Sequence, residues 1–461
     1  MFKYLVLASA LFLTACGGGG GSSQSSTTPV TPVTQNCYVD YTATYPSSYL
    51  GAHAIPTANG VLPNSWQKSI DLKDYSPYWV YYNDQTTGAN KIHNCTEDQY
   101  AELMYTQALD KLKQDGVTFT WFTNYGYWDS AYATNLTISK YAIPEYMVQW
   151  FVQQAKQRNI DVYYSFQIQP TDSNGNVVSP INGKVDQATL TKIMNGWDTQ
   201  AIEMAKFSQS VGMKGMMIDW SAYTINNLND PVLHEIYANS LSSTIDHVRQ
   251  NFSGTLVYGQ EGRPWSDPRI IDKIDVILFS FMGGGFSASD NANLSPEIVQ
   301  SYMTKQLNDF YSAYHCLGAS TGSINCGPNG PSTKQVPIMF NAGVQSTNTY
   351  WLNGWEEDGF CNSSTANASI GTGTSVLTTG ATTSSCVELT YVTDFSAQAI
   401  GDEGILRTVF QQTLFTVFGV DLGGYWLSDT IVPNYEGFPN ISASVRGKPA
   451  EAIIKHWFTG S

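Results

Sequence analysis

Gly212-Met213-Lys214-Gly215-Met216-Met217-Ile218-Asp219-Trp220 is the stretch whose reading decides the fold. It reads as a strand buried on both faces that runs out into a carboxylate and then an indole. The run before it, Gln187–Val211, reads as a long helix, and the run after it, Leu233–Asn251, as another. A buried strand between amphipathic helices is the repeating unit of a parallel α/β protein. In a parallel barrel the residues at the strand ends face the substrate, which makes Asp219 the first candidate of the chain.

Working outward, the same alternation recurs. Tyr78–Tyr82, Thr118–Asn124, Asp161–Gln167, Lys214–Trp220, Thr255–Gln260, Ile274–Phe281, Val336–Phe340 and Val420–Trp426 read as strands. Gln99–Gln114, Pro144–Arg158, Glu297–Tyr314, Gln398–Phe418 and residues 449–457 supply the remaining helices, and Tyr125-Gly126-Tyr127-Trp128-Asp129 reads as an aromatic loop after the second strand. Eight apolar strands alternating with helices predict an α/β (β/α)8 TIM barrel. No Gly-rich phosphate fingerprint follows the first strand, which counts against a dinucleotide fold. Long insertions at 283–295 with 315–335, and at 347–392, are expected on the C-terminal face.

The N-terminus carries its own signals. Residues 1–15 have a short apolar stretch behind Lys3, as in a secretory signal, and the stretch is too short for a permanent membrane span. Leu13-Thr14-Ala15-Cys16 resembles a bacterial lipobox, which implies cleavage before Cys16 and a lipid on its sulfur. Residues 16–36, after that cysteine mostly Gly, Ser, Thr, Pro and Gln, cannot build a core and read as a tether; 37–461 is the barrel domain. Gly17 after the cysteine implies an outer-membrane or cell-surface destination by analogy with Gram-negative sorting. Six further cysteines in an exported chain point to disulfides. Fifteen connectivities are open to them; Cys37–Cys95, Cys316–Cys326 and Cys361–Cys386 each close a local loop.

The net charge of −15 and the absence of basic clusters argue against nucleic acid as a partner. No CxxC occurs and the histidines are scattered, so no metal is expected, and nothing implies an organic cofactor. No Ser–His–Asp arrangement stands out, which sets a serine hydrolase aside.

With the strands placed, several stretches resemble bacterial clan A glycoside hydrolases, and family 113, the β-mannanase-like group, in particular. The stretches are His247-Val248-Arg249-Gln250-Asn251-Phe252-Ser253-Gly254-Thr255-Leu256-Val257-Tyr258, Ile274-Asp275-Val276-Ile277, Asp394-Phe395-Ser396-Ala397-Gln398-Ala399 and Arg446-Gly447-Lys448-Pro449-Ala450-Glu451. The resemblance covers most of residues 66–458, and these stretches are its better pieces. The resemblance implies a glutamate at the end of the fourth strand and another at the end of the seventh. Here Ser221 stands nearest the first position and Asn341 at the second. An amide cannot attack an anomeric carbon, so the two-glutamate mechanism does not carry over.

Two carboxylates remain to serve sugar chemistry. Asp219 ends the fourth strand, and similar runs ending in Asp occur in family 114 galactosaminidases and clan D galactosidases. Glu261 follows the fifth strand in Tyr258-Gly259-Gln260-Glu261-Gly262-Arg263. The alternatives are a loop-amide acceptor for Asp219 and an ion pair with Arg263 or Lys273 for Glu261. Asp129 and Asp429 are substitute partners. Trp128, Trp220, Trp351, Trp355 and Trp426, with Tyr125 and Tyr127, are candidate stacking platforms. Asn341, Gln167 and Gln169 suit hydroxyl recognition. The expectation is a lipid-anchored glycoside hydrolase acting on a polysaccharide or exopolysaccharide; the alternative is a noncatalytic glycan-binding protein on the same scaffold, and a third is an envelope protein without ligand.

Overall fold

The computed structural model describes residues 36–39, 47–72, 77–88, 90–128, 136–138, 143–170, 185–218, 230–259, 266–281, 283–317, 332–353, 374–381, 385–425 and 442–461. Eight parallel strands dominate: β1 (Gln67–Asp71), β2 (Phe119–Trp128), β3 (Asp161–Pro170), β4 (Gly215–Met217), β5 (Thr255–Gly259), β6 (Val276–Phe281), β7 (Ile338–Ala342) and β8 (Val417–Gly424). Their order in the sheet is β1-β8-β7-β6-β5-β4-β3-β2. The two ends then meet: Thr118 N donates to Lys68 O at 2.8 Å, and Lys68 N donates to Thr118 Oγ1 at 2.9 Å. The sheet is thereby a (β/α)8 TIM barrel, with a short antiparallel strand, Leu136–Ile138, on the far end of β2.

The expected first strand was misplaced. Tyr78–Tyr82 lies in the helix Pro77–Thr87, and β1 is Gln67-Lys68-Ser69-Ile70-Asp71. A run of aromatic and β-branched residues does not by itself separate a strand from a buried helix, and Pro77 suits a first helical turn. The sequence of β1 hides it, because only Ile70 is apolar. Ile70 joins the outer core, and Lys68 on the same face sends its ammonium to Phe458 O at 2.7 Å. Burial pushes that ammonium below its ordinary pKa. The other face, Gln67, Ser69 and Asp71, turns toward the barrel axis by alternation.

Smaller differences have local causes. The helix read as Gln398–Phe418 is Phe395–Gln411 and stops where Gln412 takes an extended backbone. The Gln412 side chain there accepts from the amides of Leu414 and Phe415, both at 2.9 Å, making the turn into β8. Tyr125–Trp128 is a continuation of β2 rather than a loop. Residues 315–317 and 332–335 follow the helix Pro296–Tyr314 and lead into β7, so that insertion belongs to the N-terminal end of the barrel. The insertions after β6 and β7 do leave from C-terminal strand ends; the latter contains the antiparallel pair Thr374–Ala381 and Ser385–Val392.

Two cores result. Phe119, Trp121, Tyr163, Val257, Val276 and Met339, with Met217, Leu278 and Phe418 packed on them, fill the barrel interior. A larger shell lies between strands and helices, where side chains such as Trp197, Tyr237 and Trp457 are sealed. Each buried apolar side chain contributes ~1.5–3 kcal/mol. Helix starts are capped by side chains that the sequence supplies on cue: Thr96, Asp186, Asp230, Ser295 and Asp394 each accept from an amide of the first turn. Gly212 ends Gln187–Val211 at φ 82°, a left-handed cap that turns the chain into β4. Cys37 and Cys95 are joined by a disulfide. Cys316 is disulfide-bonded as well; its expected partner Cys326, and Cys361 and the side chain of Cys386 from the third expected pair, lie outside the described residues.

Candidate functional site

The barrel interior changes character toward its C-terminal end. The inner plug fixes which face of each strand points inward: Trp121 on β2, Tyr163 on β3, Met217 on β4, Val257 on β5, Leu278 on β6 and Met339 on β7. Two residues further along, alternation brings Thr123, Ser165, Gly259, Ser280 and Asn341 to the same side. On β8 the register places Asp421 beside Asn341, and on β1 it places Ser69 beside Asp421. An aromatic and aliphatic plug is therefore roofed by a layer of hydroxyl, amide and carboxylate groups. Such a layer at the C-terminal end of the strands is where this architecture carries its sites.

One row of this layer is joined by hydrogen bonds. Asn341 Nδ2 donates to Asp421 Oδ2 at 2.8 Å, and Ser280 Oγ donates to Asn341 Oδ1 at 3.3 Å. Asp421 and Ser69 are sealed beneath, at 1% and 0% exposure, while Asn341 and Ser280 are half-buried. Asp71, the last residue of β1, is also fully buried. Ser69 Oγ and Thr123 Oγ1 are buried with no hydrogen-bond partner among the described residues.

β4 and β5 leave the barrel side by side. A Cβ on Gly259 would lie 3.5 Å from the Met217 methyl and 3.2 Å from Leu278, so the glycine keeps this inner corner open. The residue after β4, Ile218, turns the other way, into the outer core, and its carbonyl accepts from Trp197 Nε1 at 3.1 Å.

Of the residues singled out from sequence, Asn341 has its side chain within the described residues and faces the barrel mouth. Asp219, Trp220, Ser221, Glu261, Arg263, Trp355, Trp426, Asp129, Asp429 and Cys16 lie outside the described residues. The backbones of Tyr125, Tyr127 and Trp128 belong to β2 and those of Gln167 and Gln169 to β3, with their side chains outside the description. Trp351 is a correction: it is 1% exposed, packed on Phe286 at 5.0 Å between ring centroids, and offers no stacking face. Lys273 is committed to Asp246 at 2.5 Å and to Ser242 O. Ser69, Ser280 and Asp421 escaped the sequence reading. The signal was present in Val420-Asp421-Leu422, a charged residue inside an apolar strand.

The stretches that carried the family resemblance all do structural work. Arg249 pairs with Asp275 and donates to Gly254 O at 2.7 Å, while Asp275 accepts from Leu256 N at 2.9 Å. Asp394 caps its helix through Ala397 N at 2.8 Å. Glu451 accepts from Gly447 N and pairs with Lys111, both at 2.7 Å.

Comparison with solved structures agrees with this architecture. A β-1,4-mannanase of glycoside hydrolase family 113 superposes with a TM-score of 0.51 at 13% identity, covering 86% of this chain and 100% of that one. The family 113 β-mannanase AaManA from Alicyclobacillus acidocaldarius, solved in complex with ManMIm, gives 0.51 at 10% identity, covering 86% and 98%. A further family 113 β-1,4-mannanase complex gives 0.50 at 13% identity, covering 78% and 93%. No protein-family model and no curated protein matches the sequence. The chain has the (β/α)8 barrel fold seen in the family 113 glycoside hydrolases of clan A.

Proposed function

We propose that this chain is a cell-surface lipoprotein glycoside hydrolase that acts on a polysaccharide or exopolysaccharide, with Asp219 as nucleophile or base and Glu261 as general acid. The observation that carries the reading is the inner corner of β4 and β5. Met217 and Gly259 face the axis next to each other, and Asp219 and Glu261 each follow by two residues in the sequence. The inward carboxylates of the described strands, Asp71 and Asp421, are sealed, so they do not compete for the role. Two acids from neighbouring strand ends suit glycosidic cleavage, at ~5 Å for retention or ~6.5–9.5 Å for inversion. A general acid needs a raised pKa, which burial beside aromatic residues would supply. Trp128, Trp426 and Tyr127 are the proposed stacking residues, and Gln167 and Asn341 the hydroxyl-binding ones. The similar structures are named as β-1,4-mannanases, which makes β-1,4-mannan the first polymer to try. Lipid on Cys16 and the tether of residues 16–36 would hold the barrel at the outer membrane.

One observation favours a second reading, a noncatalytic glycan-binding protein. The inward residue near the end of β7 is Asn341, an amide already bonded to Asp421. A panel of polysaccharides, β-1,4-mannan among them, separates the readings. New reducing ends released by the wild-type chain support the hydrolase. Retention on a glycan without product supports the binding protein. Neither binding nor product overturns both.

A further inference from the structure

We propose that Asn341 is the point at which the barrel floor meets its ligand, and that Asp421 is a positioning residue that fixes the amide for a pair of neighbouring sugar hydroxyls. The inference rests on the carbohydrate reading above and adds to it the orientation of one recognition group. A carboxylate can only accept, so the end of Asn341 that faces Asp421 Oδ2 at 2.8 Å must be the NH2. The carbonyl end then faces β6, where Ser280 Oγ donates to it at 3.3 Å. The amide is thus held one way round, with its donor on the β8 side and its acceptor on the β6 side.

Capacity remains on both ends. Oδ1 has two acceptor sites and Ser280 fills one. Nδ2 has two hydrogens; the first goes to the Asp421 carboxylate, and the second reaches only the Asp421 carbonyl, at 3.5 Å, too long to hold it firmly. Among the described residues one donor and one acceptor therefore remain on a half-buried side chain at the mouth, the pattern that two adjacent hydroxyls complement. Asp421 is sealed beside Asn341, so it shapes the amide without touching a ligand.

The surrounding layer points to the same ligand chemistry. Ser69 Oγ and Thr123 Oγ1 are more than nine-tenths buried, face the axis and have no partner among the described residues. Buried hydroxyls are normally satisfied, so an apolar occupant would leave them wanting. An anionic one would be disfavoured through space by the acidic residues Asp71 and Asp421 buried in this layer. A neutral polyol suits the hydroxyl and amide groups and carries no charge against the buried acids.

The test is a double-mutant cycle read by calorimetry, in the Asp219→Asn chain so that the probes survive. The probes are the β-1,4-linked tetrasaccharides of mannose, glucose, galactose and N-acetylglucosamine. Asn341→Ala should weaken binding of the preferred probe about tenfold, as expected for one to two lost hydrogen bonds. Asp421→Asn, which lets the amide turn over, should weaken it about threefold or more; Ser280→Ala should do likewise if Asp421→Asn fails to fold. In the Asn341→Ala background the Asp421 and Ser280 changes should add nothing, because both act through the missing amide. Binding unaltered by Asn341→Ala, or effects that simply add, overturns this inference and leaves the carbohydrate reading standing. A parent chain that binds none of the probes overturns the carbohydrate reading and this inference with it.

Discussion

Trp351 is pressed against Gly401: a Cβ at position 401 would lie 2.5 Å from the indole Cζ2 and 2.8 Å from Val344. The indole is a wedge between the insertion after β7 and the helix Phe395–Gln411, not a sugar platform. Trp351→Ala is expected to cost ~3–5 kcal/mol of stability by urea unfolding, the range for an emptied aromatic site. Gly401→Ala should cost ~1–3 kcal/mol by overpacking the same contact. Glycan affinity per folded molecule should be unchanged in both, as measured by calorimetry on the folded fraction.

Asp267 ties the stretch before β6 to its neighbours. It is fully buried, caps Arg269 N at 3.0 Å, takes the Arg269 guanidinium on both oxygens and lies 3.4 Å from His234 Nε2. Burial alone would raise its pKa; the bonds from His234 and Arg269 outweigh that and hold the carboxyl far below the usual range. A carboxyl so depressed contributes stability above the normal aspartate range and loses it as pH falls toward the folded value. Asp267→Asn should therefore lower stability by ~2 kcal/mol at pH 7, since a charged partner is left unmatched. The gap between wild type and variant should shrink steadily on acidification in a series of denaturation curves.

Asp402 has the opposite sign. It is fully buried within the helix Phe395–Gln411, and neither oxygen has a hydrogen-bond partner among the described residues. Burial pushes its carboxyl well above the usual range, opposed in part by Lys448. The folded chain thus keeps a proton that the unfolded chain gives up, and stability falls as pH rises above the ordinary aspartate range. Asp402→Asn removes that dependence. The variant should gain thermal stability relative to wild type at pH 8, and the gain should be smaller at pH 4. A variant less stable than wild type at both values would show that Asp402 is held by a favourable contact instead.

The fold was legible because its evidence is repetitive. Seven of the eight barrel strands fall where apolar runs predict them, and the caps at Asp230, Ser295 and Asp394 mark helix starts by residue type alone. The exception is instructive. β1 has its polar side chains on both faces, Lys68 reaching out to a helix end and Ser69 and Asp71 facing in, so no hydrophobic pattern announces it. The family resemblance rested on residues such as Arg249, Asp275 and Glu451, which hold loops and helix ends together; it therefore spoke to the scaffold and not to the chemistry. The polar layer was illegible for a related reason. Ser69, Ser280 and Asp421 belong to three strands far apart in sequence, and only closure of the barrel makes Ser69, Asp421, Asn341 and Ser280 one row.

The central claim is that Asp219 and Glu261 break a glycosidic bond at the mouth between β4 and β5. The direct measurement is kcat of wild type, Asp219→Asn and Glu261→Gln on the glycan that the wild type cleaves, with folding of each variant checked by circular dichroism. Each substitution is predicted to lower kcat by about 100-fold or more, the scale of a lost catalytic acid or base. Either variant turning over within about threefold of wild type, where a lost acid or base costs far more, would contradict the account.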